Sequence, residues 1–159
     1  MTRPRILAPR IAAMAVLLGA TLGAAAEPAL LERGRYMVVT GQCNNCHTAG
    51  YSAAKGELPE SAWLLGDPKG RREPEGTVYA TNLRHYIAAL SVEQWILVAR
   101  NSRSRPPMPW WNLRQTSEQD LRAMYAYIRS LGPVGEPVPP FQPAHPAPAA
   151  AAAPASSTR

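Results

Sequence analysis

The chain has 159 residues, of which 17 are basic and 11 acidic, giving a formal net charge of +6 and only one phenylalanine. Three of the basic residues and none of the acidic ones lie in the first 26 residues, so the rest of the chain carries only +3. This charge is too small for a nucleic-acid-binding domain, which needs a clustered basic patch on a strongly basic fold. There is room for one small domain of roughly 100 residues, whose few large apolar side chains make an unaided core marginal.

The first 26 residues have the pattern of a secretory signal peptide. Residues 1–10 contain three arginines and no acid, residues 11–23 are apolar, and three alanines precede Glu27. We expect cleavage after Ala26 and export of a domain covering residues 27–133. An uncleaved membrane anchor is the alternative, although the apolar run is shorter than the roughly 20 residues of a spanning helix.

The first predicted helix covers residues 27–40 and ends at Gly41, with Gly34 leaving a gap where another backbone could approach. Residues 49–84 are rich in glycine, proline and charge and show no sustained period, so we expect a long loop with a short helix near residues 59–65. A loop of this length in a small domain suggests that it wraps around something.

Two further helices are expected in the second half. One begins at Ser91, where Gln94 completes a capping box, and ends near Asn101. The other begins at Ser117 and ends before Gly132. It has an apolar stripe formed by Leu121, Met124, Tyr125, Ile128 and Leu131.

Proline and alanine dominate residues 134–159. This composition predicts an extended or disordered tail. A spacer is the simpler interpretation, and docking on a partner protein is the alternative, because proline-rich segments are already extended before they bind.

The only two cysteines lie in the stretch CNNCH, which spans Cys43–His47. A thioredoxin-like redox pair would follow a strand, and no strand pattern precedes the motif. A structural zinc site needs four ligands, and the remaining histidines, His85 and His145, lack paired spacing. A disulfide between the cysteines would close a very short loop and constrain the unfolded chain little.

The spacing C-x-x-C-H is the attachment signature of c-type haem. Cys43 and Cys46 would form thioethers with the porphyrin, and His47 would be the proximal iron ligand. Export favours this interpretation, and we expect one covalent haem c.

An electron carrier needs a second axial ligand, and methionine opposite histidine raises the potential of the iron. Met108 lies in the proline-rich loop RPPMPW and is the predicted distal ligand. Met37 and Met124 lie on predicted helices, where a core position is the better interpretation for Met124. His85 is the alternative ligand, and His145 is a weaker one.

At this point the sequence resembles the single-haem class I cytochromes c. The stretches ERGRYMVVTGQCNNCHT, PPMPW and SEQDLRAMYAYIRSLGP are similar to the first helix with its haem motif, the methionine loop and the last helix of that family. The resemblance implies an all-α fold with three main helices and long loops wrapped around one covalent haem.

The family's first and last helices cross where a glycine meets an aromatic residue. The resemblance offers Gly34 and Tyr36 on one side, and Met124 and Tyr127 on the other. It also implies that the propionates of the haem are held by polar and aromatic groups, for which the candidates are Trp63, Tyr79, Asn82 and Trp110.

The stretch GTVYATNL is especially similar to bacterial cytochrome c subunits that serve periplasmic dehydrogenases, which often carry several haems, whereas this chain has one motif. We therefore expect a non-enzymatic electron carrier in the bacterial periplasm, with a periplasmic or membrane-bound dehydrogenase and an oxidase or other cytochrome as partners. Membrane association is expected only if the leader is uncleaved. A haem sensor or small-molecule-binding enzyme with an exchangeable sixth ligand is the alternative.

Four arginines flank the predicted methionine ligand: Arg100, Arg103, Arg105 and Arg114. Each alone is most simply a solvated surface residue. Together they would surround the side of the haem that the methionine approaches, so we expect them to steer an acidic partner.

Overall fold

The computed structural model describes residues 27–144. The predicted leader and the last part of the predicted tail lie outside these residues. Within the described part of the chain, no helix is long and apolar enough to cross a membrane.

Three longer helices form the framework, as predicted. Helix α1 covers residues 27–40, and the short α2 at Asn44–His47 follows it. Helix α3 covers Leu83–Ala88, α4 covers Val92–Asn101, and α5 covers Trp110–Gln115. Helix α6 covers Glu118–Ser130.

The ends of α4 and α6 follow the local signals in the sequence. The Ser91 side chain accepts from the Gln94 backbone N–H, and the Gln94 side chain accepts from that of Ser91, so the capping box is complete. Ser117 caps α6 by accepting from the backbone N–H of Asp120. Gly132 follows α6 with a φ of +75°, the left-handed conformation common after a helix.

A small antiparallel sheet, which the sequence did not predict, occupies part of the expected long loop. Strand β1 covers Asp67–Glu73, β2 covers Gly76–Ala80, and β3 covers Gln142–Pro143, in the order β1-β2-β3. The short helix expected near residues 59–65 is a single 3₁₀ turn at Glu60–Ala62. The fold is therefore mostly helical with a small sheet.

The first part of the predicted tail packs on the domain. Residues 134–144 are ordered against the domain, and β3 pairs with β2 through Gly76 with Pro143 and Thr77 with Gln142. These pairs attach residues 142–143, which lie after the predicted boundary at residue 133, to the sheet.

The apolar core lies among the longer helices and α3. Its buried members are Val38, Trp63, Leu64, Ile87, Trp95, Ala99, Leu121, Met124, Tyr127 and Ile128. This core holds α1 against α6, and the end of α1 leads directly into the segment that carries both cysteines.

Candidate haem site

His47 is the last residue of α2, and one hydrogen bond fixes its ring. Its Nδ1 lies 2.7 Å from the carbonyl oxygen of Thr81, and because a carbonyl only accepts, Nδ1 carries the ring proton. Burial lowers the pKa of His47, against the opposing effect of the Thr81 bond, so the ring is neutral at pH 7. A neutral imidazole with an oriented, unprotonated Nε2 is suited to bind a metal.

The turn that carries His47 is hydrogen-bonded to the residues just before β1. The backbone N–H of Gly66 donates to the carbonyl of His47 at 2.8 Å, and that of Leu64 donates to Thr48 Oγ1 at 2.7 Å. Thr48 Oγ1 in turn donates to Asn44 Oδ1. The Asn44 side chain is fully buried and holds the shape of the motif, a role that its position in the stretch CNNCH does not indicate.

The two cysteines are free and half-buried. Burial raises the pKa of the Cys43 thiol to about 11, so this thiol is neutral at pH 7, unlike the thiolate of a redox-active pair. Among residues 27–144, no three His, Cys, Asp or Glu side chains come together to hold a metal ion. The geometry therefore gives no support to the redox-pair or zinc alternatives.

Met108 lies between α4 and α5 and is half-buried. Its backbone N–H donates to the carbonyl of Arg105 at 3.2 Å, and its own carbonyl accepts from the Trp110 N–H at 2.9 Å. Met124 is a core residue with 4% exposure, and Met37 packs at the edge of the core. Of Met37, Met108 and Met124, Met108 is therefore the one whose side chain is not part of the apolar core.

One ring nitrogen of His85, the alternative ligand, is engaged by a hydrogen bond. Its Nε2 lies 2.7 Å from the carbonyl oxygen of Gly135, to which it donates. His145 lies outside the described residues. Met108 stays the predicted distal ligand and His85 the alternative.

Four residues were expected to hold the propionates of the haem, and they fall into two groups. The indole N–H of Trp63 donates to the Leu58 carbonyl at 2.8 Å, and the buried Asn82 side chain caps α3, so both groups are used within the protein. No such bond occupies the side chains of Tyr79 and Trp110 among the described residues.

Arg114 is a candidate that sequence reasoning did not single out for the haem. Its Nε is buried without a hydrogen-bond partner among the described residues, and its guanidinium lies 4.7 Å from the centre of the Trp110 ring. The spacing of four residues, which places both side chains on one face of α5, could have indicated this pair. A buried donor with positive charge beside the Met108 segment suits the carboxylates of a haem.

The residues present fit a covalent haem. Two free thiols precede an imidazole with an unprotonated Nε2, and a thioether sulfur and an unpaired arginine donor are available on the segment after α4. Nitrogen and sulfur are the axial donors of the c-type cytochromes.

The cytochrome c family model matches residues 31–132. The chain belongs to the cytochrome c family. It is accordingly an electron-transfer protein of a family whose haem c is covalently bound, and the Cys43/Cys46 pair is consistent with that attachment.

Several curated proteins are similar to this cytochrome. It is 31% identical over 136 residues to the cytochrome c subunit of a quinone-type alcohol dehydrogenase from Gluconobacter oxydans, a match covering 77% of this chain and 26% of the relative. It is 26% identical to the fructose dehydrogenase cytochrome subunit of Gluconobacter japonicus, over 75% of this chain and 25% of the relative.

The gluconate 2-dehydrogenase cytochrome c subunit of Pantoea cypripedii is 28% identical, over 70% of this chain and 25% of its own length. This cytochrome therefore spans about a quarter of the length of these relatives. No solved structure matches it significantly.

Proposed function

We propose that this cytochrome is an exported single-haem electron carrier of the bacterial periplasm, which accepts electrons from a dehydrogenase and passes them to an oxidase or another cytochrome. The single C-x-x-C-H motif and the leader-like first 26 residues support the proposal, as do relatives that are subunits of dehydrogenases.

The observation that carries the proposal is the hydrogen bond from His47 Nδ1 to the Thr81 carbonyl. It fixes the tautomer, leaves Nε2 unprotonated and makes the imidazole more basic. Cys43 and Cys46 would hold the porphyrin covalently, and His47 and Met108 would ligate its iron. The haem itself supplies the change between Fe(III) and Fe(II).

The ligand assignment can be tested on the haem-loaded protein. The oxidised wild type should show the weak red-edge absorption band of methionine-ligated haem, and Met108→Ala should abolish it. The reduced wild type should not bind carbon monoxide, whereas reduced Met108→Ala should bind it at the opened position. Met37→Leu is the control and should behave as wild type.

The same measurements distinguish the carrier from a sensor or small-molecule-binding enzyme. Carbon monoxide binding by the reduced wild type, or a band that survives in Met108→Ala, would favour an exchangeable sixth position and contradict the carrier. Export is tested separately, because the N-terminus of the mature protein should be Glu27.

The partner-docking face is proposed at the arginines around Met108. None of Arg100, Arg103, Arg105 and Arg114 forms an ion pair with a carboxylate among residues 27–144. Arg103 and Arg114 both lie against Trp110, at 6.0 and 4.7 Å from the ring centre, and the neighbouring Trp111 is 54% exposed. The exposed Arg103 and Arg105 and the exposed Trp111 favour an acidic partner surface, whereas the Nε of Arg114 is buried.

Arg103 is used to test this face. It is exposed, whereas Arg105 also stacks on the ring of Phe141. At low ionic strength, Arg103→Glu should slow oxidation of the reduced haem by ferricyanide, a small anionic oxidant, by about twofold or more. The difference should disappear in 1 M salt. Lys55→Glu, an equal charge reversal on the exposed loop near Tyr51, serves as the control, and an equal effect of both variants would contradict a localised docking face.

A further inference from the structure

The C-terminal strap, residues 133–144, follows α6 and is first attached beside α3. The Asn82 amide donates to the carbonyl of Val134 at 3.0 Å, and His85 Nε2 donates to the carbonyl of Gly135 at 2.7 Å. Asn82 itself is 2% exposed and caps α3 with its side-chain oxygen. The first part of the strap is therefore fixed by buried or well-oriented donors.

The first attachment of the strap, at Asn82, lies on the segment that orients His47, the candidate proximal ligand. Asn82 directly follows Thr81, whose carbonyl accepts from His47. A Cβ added at Gly66, which is hydrogen-bonded to the His47 carbonyl, would lie 2.7 Å from Val138 of the strap. The strap thus packs closely on the residues that hold the His47 turn.

The far end of the strap is attached to the sheet. Strand β3 pairs with β2, and the backbone N–H of Ala144 donates to the carbonyl of Glu75 at 2.9 Å. A Cβ at Gly76 would meet the Gln142 carbonyl at 2.1 Å, which shows how closely the two backbones approach. The strap is therefore fixed at both ends.

Between these attachments, Phe141 contacts the segment that carries Met108. The guanidinium carbon of Arg105 lies 4.1 Å from the centre of the Phe141 ring. The carbonyl of the same Arg105 accepts the backbone N–H of Met108. Phe141, Arg105 and Pro106 also line one cavity together with Glu73 and Glu75 of the hairpin.

We propose that the strap positions the candidate distal ligand: Phe141 stacks on Arg105, and Arg105 restrains the loop that presents Met108 to the iron. Phe141 and Arg105 are positioning residues, since neither contacts the iron. The inference rests on the proposed function, because it takes Met108 as the axial ligand. It gives the first part of the proline-rich region a role within the domain.

The test measures how easily imidazole displaces Met108 from the oxidised haem. A restrained loop resists displacement, so Phe141→Leu, which keeps an apolar side chain but removes the ring, should raise the affinity for imidazole by about two- to fivefold. Phe141→Trp should preserve the wild-type affinity. Val134→Ala, which trims an exposed side chain elsewhere on the strap, is the control and should have no effect.

A double-mutant cycle separates this stack from a general loosening of the fold. Arg105→Gln should raise the affinity as much as Phe141→Leu, and the double variant should show no further increase, because both changes break the same contact. Additive effects of the two substitutions, or an unchanged imidazole affinity in Phe141→Leu, would overturn the proposal.

A second readout does not depend on ligand binding. Hydrogen exchange at the Met108 amide should be faster in Phe141→Leu than in wild type and unchanged in Val134→Ala. The experiments show separately whether the strap proposal is wrong and whether the assignment of Met108 as a ligand is wrong. If Met108→Ala abolishes the red-edge band while Phe141→Leu changes neither imidazole affinity nor exchange, only the strap proposal is wrong.

Discussion

Arg84 shows how one side chain can join distant segments of this domain. It is 4% exposed, and its guanidinium donates to four backbone carbonyls, those of Trp63, Leu131, Glu60 and Ser61. Burial lowers its pKa, yet no carboxylate pairs with it among residues 27–144. The carbonyls, including one at the C-terminal end of α6, replace the missing counter-charge.

Replacing this guanidinium should lower the free energy of unfolding more than most single substitutions do. Arg84→Met would keep much of the volume but leave several carbonyls without donors, and we expect the free energy of unfolding to fall by about 3 kcal/mol. Urea unfolding of the haem-loaded protein measures this loss. Arg129→Met is the control, because exposed Arg129 makes one such bond, to Ala88, and its replacement should cost about 1 kcal/mol or less. Equal losses would contradict the role assigned to Arg84.

At the residue scale, the sequence could predict a role only for residues that belong to a local pattern. The motif Cys43–His47 and the proline-flanked Met108 are such patterns, and their assignments stay predictions until the ligand test is made. The role of Arg84 was not predictable, because its acceptors lie 21 to 47 residues away. The same holds for the Nε of Arg114, whose lack of a partner appears only when the chain is folded.

At the scale of elements, the crossing of α1 and α6 depends on Gly34. A Cβ at this position would lie 2.0 Å from the Ala123 carbonyl oxygen and 2.6 Å from Tyr127 Cβ. Of the pairs suggested by the resemblance, the structure selects Gly34 with Tyr127, while Tyr36 is 54% exposed. Tyr127 also donates to Glu60 at 2.8 Å, and the salt bridge between Arg33 and Asp120 joins the same two helices.

Gly34→Ala should therefore force the two helices apart. The methyl group would gain about 1 kcal/mol of helix propensity, but overpacking at a backbone contact costs more, and we expect a net loss of about 2 kcal/mol or more in the free energy of unfolding. Thermal and urea unfolding of the haem-loaded variant measure it. Glu32→Ala, on the exposed side of α1, should change stability by no more than about 0.5 kcal/mol. A stable Gly34→Ala protein would show that the helices can separate without cost.

The elements that sequence analysis missed lack a repeating pattern. Strand β1 reads DPKGRRE, with no apolar alternation and with a proline and a glycine inside it. Its Gly70 instead lets the Tyr79 ring of β2 lie across it, since a Cβ there would be 2.7 Å from that ring. Helices α3 and α5 have six residues each, which is less than two turns and too short for a 3.6-residue period to be recognised.

At the scale of the whole molecule, the residues that would hold the haem are only half-buried. The core holds α1, α3, α4 and α6 together, while Cys43, His47 and Met108 are half-buried. A bound porphyrin would add a large apolar surface to a domain with few large apolar side chains. A small domain buries a smaller fraction of its surface on folding than a large one, so the folding of this domain should depend on the haem.

This dependence predicts the behaviour of a chain that cannot attach the cofactor. Cys43→Ser/Cys46→Ser, expressed with the export signal, should yield protein without covalent haem. It should lack a cooperative thermal transition and near-ultraviolet circular dichroism, because the segments that carry His47 and Met108 lose their common partner. Met108→Ala is the matched control, since it retains both thioethers and should still unfold cooperatively. A cooperative transition in the double serine variant, with the wild-type midpoint, would show that the helical core alone is sufficient for folding.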